Sequence, residues 1–192
     1  MGAFYTNITL KGPVQEAVLT YLRTRGRDAY VAPTINDITL VYDLACESQD
    51  ERILSALAAD LSQAFTCPAL AALVHDDDFL VYELFQDGTR VDKYNSDPTY
   101  FEGERPSPPS GGDANALCTA FEAGAAVERV EEILRAWSGP SGGPGASPYL
   151  FAQFRHRDLA RALGLPQSLS VLGYIYVAQG EAETPGILKT LP

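Results

Sequence analysis

Residues 70–94 read LAALVHDDDFLVYELFQDGTRVDKY and predict three consecutive β-strands. Two apolar segments rich in β-forming residues, 70–75 and 79–86, are separated by three aspartates, which favour turns. The Asp-Gly pair that follows is a strong signal for a two-residue hairpin turn, after which residues 89–94 form the third strand. We therefore expect three strands joined by tight turns.

The residues before this segment alternate between strand and helix patterns. Residues 4–10 alternate with period two, residues 14–22 carry apolar side chains at helical spacing, and Asp50 can cap a second helix. Short strands are expected over 29–34 and 38–43 around a hairpin turn. The resulting βαββαβ order is the ferredoxin-like split pattern, here extended by the last hairpin. Right-handed crossovers place both helices on one face of the sheet.

The second half of the chain has a different composition. We expect an α+β sheet domain over residues 1–100, a linker rich in Pro and Gly over 101–112, and a mainly helical annex over 113–192. The annex is predicted to pack against the sheet and to end in a strand that joins one edge. Its predicted elements are helices over 114–121, 127–137 and 151–163, a flexible Gly-rich segment over 138–148, and a terminal strand over 171–178.

The negative charge is concentrated in one third of the chain. The 14 basic and 25 acidic residues give a net charge of -11. Residues 43–104 contain fourteen acidic and three basic residues and carry this whole excess, while both flanks are close to neutral. Such a field repels nucleic acids and anionic membranes and attracts a basic partner, although solubility alone also explains it. No apolar run is long enough to span a membrane.

The cysteines and the N-terminus indicate a cytoplasmic protein. Cys46, Cys67 and Cys118 are odd in number and lack a Cys-x-x-Cys spacing, which argues against a disulfide framework. We expect Cys118 to be a small buried apolar residue. The first residues show no signal-peptide pattern. The abundance of Ala, Leu, Gly, Pro and Arg suggests a bacterium with a GC-rich genome.

One segment has the residue types of a metal site. His75 precedes Asp76, Asp77 and Asp78, and imidazole with carboxylates suits Mn²⁺ or Zn²⁺. A metal-dependent hydrolase using His75, Asp76 and Asp78 is therefore an alternative function. However, neighbouring strand residues point to opposite faces, and a polar turn explains the same aspartates. The sequence has no phosphate loop, dinucleotide fingerprint or nucleophile elbow, so we expect no cofactor.

Residues 155–176 faintly resemble the start of a helix-turn-helix, which gives a DNA-binding regulator as a less favoured alternative. Arg155, Arg157 and Arg161 supply basic charge there. Pro166 and the strand-like pattern after it leave no recognition helix. A core helix with a solvated basic face explains these residues, and the arginines can alternatively pair with the acidic third of the chain.

Aromatic residues flank a polar, turn-rich loop that follows the last predicted hairpin. Tyr94, Tyr100 and Phe101 can anchor a partner or fix the loop to the sheet. The sequence thus favours a non-enzymatic cytoplasmic protein that binds a protein partner with a basic surface, as a regulator, adaptor, chaperone or immunity-type protein. Its predicted partner-binding residues are Asp76, Asp77, Asp78, Tyr94, Tyr100 and Phe101.

Overall fold

The computed structural model describes residues 2–102, 107–137 and 149–191. In these residues the chain forms an α+β fold with one eight-stranded antiparallel sheet and seven α-helices. The strands are β1 Tyr5–Lys11, β2 Ala29–Val31, β3 Ile38–Asp43, β4 Ala69–His75, β5 Phe79–Gln86, β6 Thr89–Asn95, β7 Ser110–Gly111 and β8 Leu188–Lys189. The helices are α1 Gln15–Thr24, α2 Glu51–Phe65, α3 Ala114–Ala120, α4 Val127–Arg135, α5 Ala152–Ala162, α6 Gln167–Ser170 and α7 Tyr174–Ala178.

The sheet has the strand order β7-β6-β5-β4-β1-β3-β2-β8. The predicted hairpin, β5 and β6, extends the sheet from β4, as expected from residues 70–94. The sheet is larger than the predicted core and hairpin because a two-residue strand is added at each edge. Strands this short have no readable periodicity and depend on their pairing with β6 and β2.

Residues with a left-handed backbone conformation form the tight turns. Asn36 and Asp37 have φ angles of 50° and 62°, and they join β2 to β3 as the sequence predicts. Asp76 and Asp77 have φ angles of 48° and 66° and reverse the chain between β4 and β5. Asp and Asn tolerate this region because their short polar side chains form local hydrogen bonds.

Each face of the sheet is covered by its own apolar layer. Helices α1 and α2 pack on one face, where Val18, Leu22 and Leu61 are completely buried. Helices α3–α7 pack on the opposite face, on an aromatic layer that includes Tyr5 and Tyr42. Cysteines are buried in both layers, and Cys118 is an apolar core residue as expected.

The predicted strand over 171–178 is wrong, because residues Tyr174–Ala178 form helix α7. Tyr174 and Val177 lie three residues apart and are both buried against the sheet, which a helix allows and a strand does not. In so short a segment, periods of two and 3.6 give the same apolar pattern. The strand that does join the β2 edge is β8, farther along the chain.

Two further predictions concern the Gly-rich segment and the absence of a membrane-spanning run. The Gly-rich segment predicted over 138–148 lies outside them. Among the helices of the described ranges, none has the length and apolar character needed to cross a lipid bilayer.

Candidate functional site

The turn between β4 and β5 and the loop after β6 meet at one end of the sheet and bring aromatic rings together. His75 and Phe79 are opposite each other in the β4–β5 register, with ring centroids 5.3 Å apart. A 3-10 turn at Tyr100–Glu102 then places Tyr100 4.7 Å from Phe79 and Phe101 5.4 Å from His75. These distances are typical of packed aromatic pairs.

Carboxylates border this ring cluster. The hydroxyl of Tyr100 donates to Asp78 Oδ2 at 2.7 Å, and this bond is the main cause that raises the pKa of Tyr100, with the charges of Asp76 and Asp97 adding to it. We call this set the aromatic–acidic surface. It consists of Phe4, His75, Phe79, Tyr100, Phe101, Asp76, Asp78 and Asp97.

Exposure increases from the base of the cluster to its outer ring. The Phe79 side chain is 3% exposed, Phe4 is 37% exposed and Phe101 is 76% exposed. Phe101 therefore presents most of an apolar ring to solvent while its inner edge is held by Tyr100, 5.1 Å away. A rigid, exposed aromatic ring next to charged groups is typical of a residue that anchors a partner.

Among the described residues, the carboxylates of this surface have no salt-bridge partner, unlike several other carboxylates of residues 43–104. Within the described ranges, Asp76, Asp78 and Asp97 form no ion pair. The ion pairs on the α2 side of the sheet join Arg27 to Asp43, Arg25 to Asp60 and Arg90 to Glu83. Part of the unneutralised negative charge of residues 43–104 therefore lies beside the ring cluster.

The structure separates two of the predicted partner-binding residues from this surface. Tyr94 is completely buried, and its hydroxyl donates to the carbonyl of Leu134 at 3.0 Å. Asp77 is directed at helix α5, where its Oδ1 accepts the N–H of Gln153 at 2.9 Å. Both residues have structural roles, and neither presents its polar group to a partner. The structure does bring Asp76, Asp78, Tyr100 and Phe101 together.

Two residues of the alternative metal site, His75 and Asp78, have hydrogen-bond partners within the chain. His75 Nδ1 lies 2.6 Å from Gln49 Oε1, and Asp78 is bonded to Tyr100. In the part of the chain that the structure describes, no group of three His, Cys, Asp or Glu side chains is arranged to hold a metal ion.

The arginines of α5 also differ from expectation. Arg155, expected to supply basic charge, is 6% exposed and donates to the carbonyls of Ile133 and Ala136 at the end of α4. Arg161 pairs with Asp158 on its own helix. Arg155 does reach residues 43–104, where it donates to the Tyr94 hydroxyl at 2.7 Å, and of the two arginines only Arg161 is on the helix surface.

A cavity of about 400 Å³ adjoins the aromatic–acidic surface. Asp78, Asp97 and Tyr100 belong to both features, while Trp137, Tyr149 and Arg155 close the cavity from the C-terminal half. Sequence reasoning missed Trp137 and Tyr149, because no local pattern connects them to a loop that precedes them by about forty residues. For Phe79 the sequence contains a weak signal of a site, because this residue directly follows the three aspartates.

Comparison with known proteins adds no functional assignment. No family model matches the chain, and neither a curated protein nor a solved structure matches it.

Proposed function

We propose that this chain is a binding protein that holds a basic segment of a partner protein on the aromatic–acidic surface. The observation that carries the proposal is Phe101, a ring that is 76% exposed but fixed on a packed cluster beside unpaired carboxylates. Lys and Arg side chains can form ion pairs with such carboxylates and cation–π contacts with such rings. In this role the chain performs no chemistry of its own.

The arrangement of the charges supports the proposal over simple solvation. A face that serves only solubility needs carboxylates but has no use for an exposed aromatic ring fixed on a packed aromatic cluster. Here Asp78 is also held in place by the Tyr100 hydroxyl, so that the carboxylate is ordered before a partner arrives. Ordering the groups in advance reduces the entropy lost on binding.

We further propose that β1–β4 with α1 and α2 form a ferredoxin-like unit. The order β4-β1-β3-β2 within the larger sheet supports it, together with the packing of both helices on one face. In this view the turn after β4 and the hairpin β5–β6 are additions to that unit. Together with the loop after β6, which carries Asp97, Tyr100 and Phe101, they supply six of the eight residues of the aromatic–acidic surface. This fits a binding function built on an extended scaffold.

Site-specific photo-crosslinking in the native host tests the binding function. A benzoyl-phenylalanine in place of Phe101 is expected to capture one discrete protein partner. The matched control is the same residue in place of Val91, which is 51% exposed on β6 and outside the surface. The variants Asp76→Asn, Asp78→Asn and Asp97→Asn should together reduce the adduct at position 101. Identical adducts from both positions, or none from position 101, would refute the proposal.

A further inference from the structure

We propose that the cavity beside the aromatic–acidic surface receives an arginine side chain of the partner protein, an inference that rests on the proposed function. Its volume of about 400 Å³ lies in the range of small-molecule sites, about 300–1,000 Å³. Asp78 and Tyr100 line both features, so a segment lying on Phe101 can insert one side chain here.

Two carboxylates line the cavity, and the described residues leave one oxygen atom of each without a hydrogen bond. Asp78 Oδ2 accepts the Tyr100 hydroxyl, and Asp97 Oδ1 accepts the amides of Thr99 and Ser107, both at 3.3 Å. Asp78 Oδ1 and Asp97 Oδ2 accept no hydrogen bond from the described residues. The carboxylates are therefore positioned through one oxygen and can each accept a donor through the other.

The walls suit a planar cation. Tyr100, Trp137 and Tyr149 contribute aromatic side chains to the lining of the cavity. The guanidinium of Arg155 already lies 5.0 Å from the Tyr149 ring centroid, while its donors bind carbonyls at the end of α4. This leaves Tyr100 and Trp137 for a guanidinium supplied from outside. Arginine fits better than lysine because its planar fork can bridge two carboxylates while stacking on a ring.

Two buried polar atoms of the cavity lack partners. Four buried side-chain atoms have no hydrogen-bond partner in the described part of the chain, and Ser107 Oγ and Trp137 Nε1 both belong to residues that line this cavity. Buried donors are rarely left unpaired in native proteins. A main-chain carbonyl of the inserted residue would satisfy the Trp137 N–H, so the site fits an arginine within a polypeptide.

Trp137 is the single tryptophan of the chain and reports directly on the cavity. We expect N-acetyl-arginine amide to change its fluorescence saturably, with a dissociation constant in the millimolar range that suits a single residue. N-acetyl-citrulline amide has nearly the same shape without the charge and should cause no saturable change. No saturable response to the arginine amide, or an equal response to the citrulline amide, would overturn the inference.

Variants of the cavity carboxylates test whether the arginine amide binds in the cavity. Asp78→Asn and Asp97→Asn each keep an acceptor for the internal hydrogen bond and should weaken binding of the arginine amide at least tenfold. Asp87→Asn is the matched control, because Asp87 is exposed in the β5–β6 turn with a φ of 51° that Asn also tolerates. It should leave the affinity unchanged. Equal effects of all three variants would show a nonspecific charge effect and overturn the inference.

Fluorescence anisotropy with labelled nona-arginine separates this inference from the proposed function. Peptide binding that Phe101→Ala weakens but Asp78→Asn and Asp97→Asn leave unchanged would overturn the cavity inference and preserve the surface. Binding of the arginine amide without any crosslinked partner at position 101 would refute the proposed function, and with it a partner arginine. Tighter binding of the peptide, sensitive to all three substitutions, supports both.

Discussion

Asp77 caps helix α5 from a turn that precedes it by about seventy-five residues, with its Oδ1 accepting the N–H of Gln153 at 2.9 Å. The Asp77 carbonyl also accepts the N–H of Ala152 at 2.7 Å. The helix needs these acceptors, because Phe151 at its N-cap position has no side-chain cap. The three consecutive aspartates are thus divided between stability, through Asp77, and the aromatic–acidic surface, through Asp76 and Asp78.

Removing the Asp77 carboxylate should destabilise the protein. The variant Asp77→Gly loses the cap without backbone strain, since glycine accepts the φ of 66° at this position. We expect a loss of about 1–2 kcal/mol in the free energy of unfolding, measured by urea denaturation. Asp76→Gly is the control, because it makes the same change at a neighbouring left-handed residue with an exposed side chain. Equal losses in both variants would contradict the capping role.

His156 should make the protein sensitive to acid. The ring is buried, its Nδ1 lies 2.9 Å from the Tyr5 hydroxyl, and burial lowers its pKa from 6.5 to about 4. The unfolded chain therefore binds a proton between these values that the folded chain does not bind. The stabilising contribution is complete above pH 6.5 and is lost as the pH falls to 4, by about 3 kcal/mol. His156→Gln lacks this loss, so in urea titrations its stability relative to the unmodified protein should be higher at pH 5 than at pH 7.5. An equal difference at both pH values would contradict the assignment.

Glu47 should have the opposite effect on stability. Burial raises its pKa from 4.5 to about 7, even though its carboxylate accepts the N–H of Tyr174 at 2.7 Å. The folded chain then binds a proton that the unfolded chain has released, so stability falls as the pH rises from 4.5 through 7. Glu47→Gln keeps an acceptor for Tyr174. It should raise the urea midpoint at pH 8 and leave it nearly unchanged at pH 4.5.

Between pH 4.5 and 6.5 the effects of His156 and Glu47 on the free energy of unfolding have opposite signs and partly cancel. The pH dependence caused by each group should therefore be visible only in the single variants. His156→Gln should become more stable on acidification from pH 7 to 5, because Glu47 alone then acts. Glu47→Gln should lose more stability over the same interval than the unmodified protein. If both variants keep the pH profile of the unmodified protein, neither group controls it.

The sequence predicted what short-range patterns control. The hairpin turns follow from residues that tolerate positive φ, as at Asn36 and Asp37. The longer helices follow from apolar spacing and from caps such as Asp50. Strand β8 and helix α7 escaped prediction because each is shorter than the window in which periodicity can be read.

The candidate site was predictable only where its residues are close in sequence. Asp78, Tyr100 and Phe101 stand in polar, turn-rich segments, and the structure brings them together. Tyr94 has a similar local sequence, but the alternation of β6 turns it into the core beside Tyr82. Asp77 and Trp137 act through contacts with distant segments, which no local pattern contains.

A fragment of residues 1–100 should fail to fold cooperatively. Without the rest of the chain, the sheet face opposite α1 and α2 would expose an apolar layer that includes Tyr5, Leu40, Tyr42 and Leu70. Burying such side chains supplies about 25 cal/mol per Å² of apolar surface, and a sheet with one bare face loses that contribution. We expect the fragment to aggregate or to unfold without a sigmoidal transition, measured by circular dichroism in urea.

The full chain under the same conditions is the control and should unfold in one cooperative transition, because β7 and β8 join both edges of the sheet to the second half. Asn7 adds to this coupling, since its side chain donates to the carbonyls of Ser170 and Leu172 at 2.7 and 2.8 Å. A fragment of residues 1–100 that stays monomeric and unfolds cooperatively would show that the sheet is an independent domain. The helical annex would then be a cover that can be removed without loss of the fold.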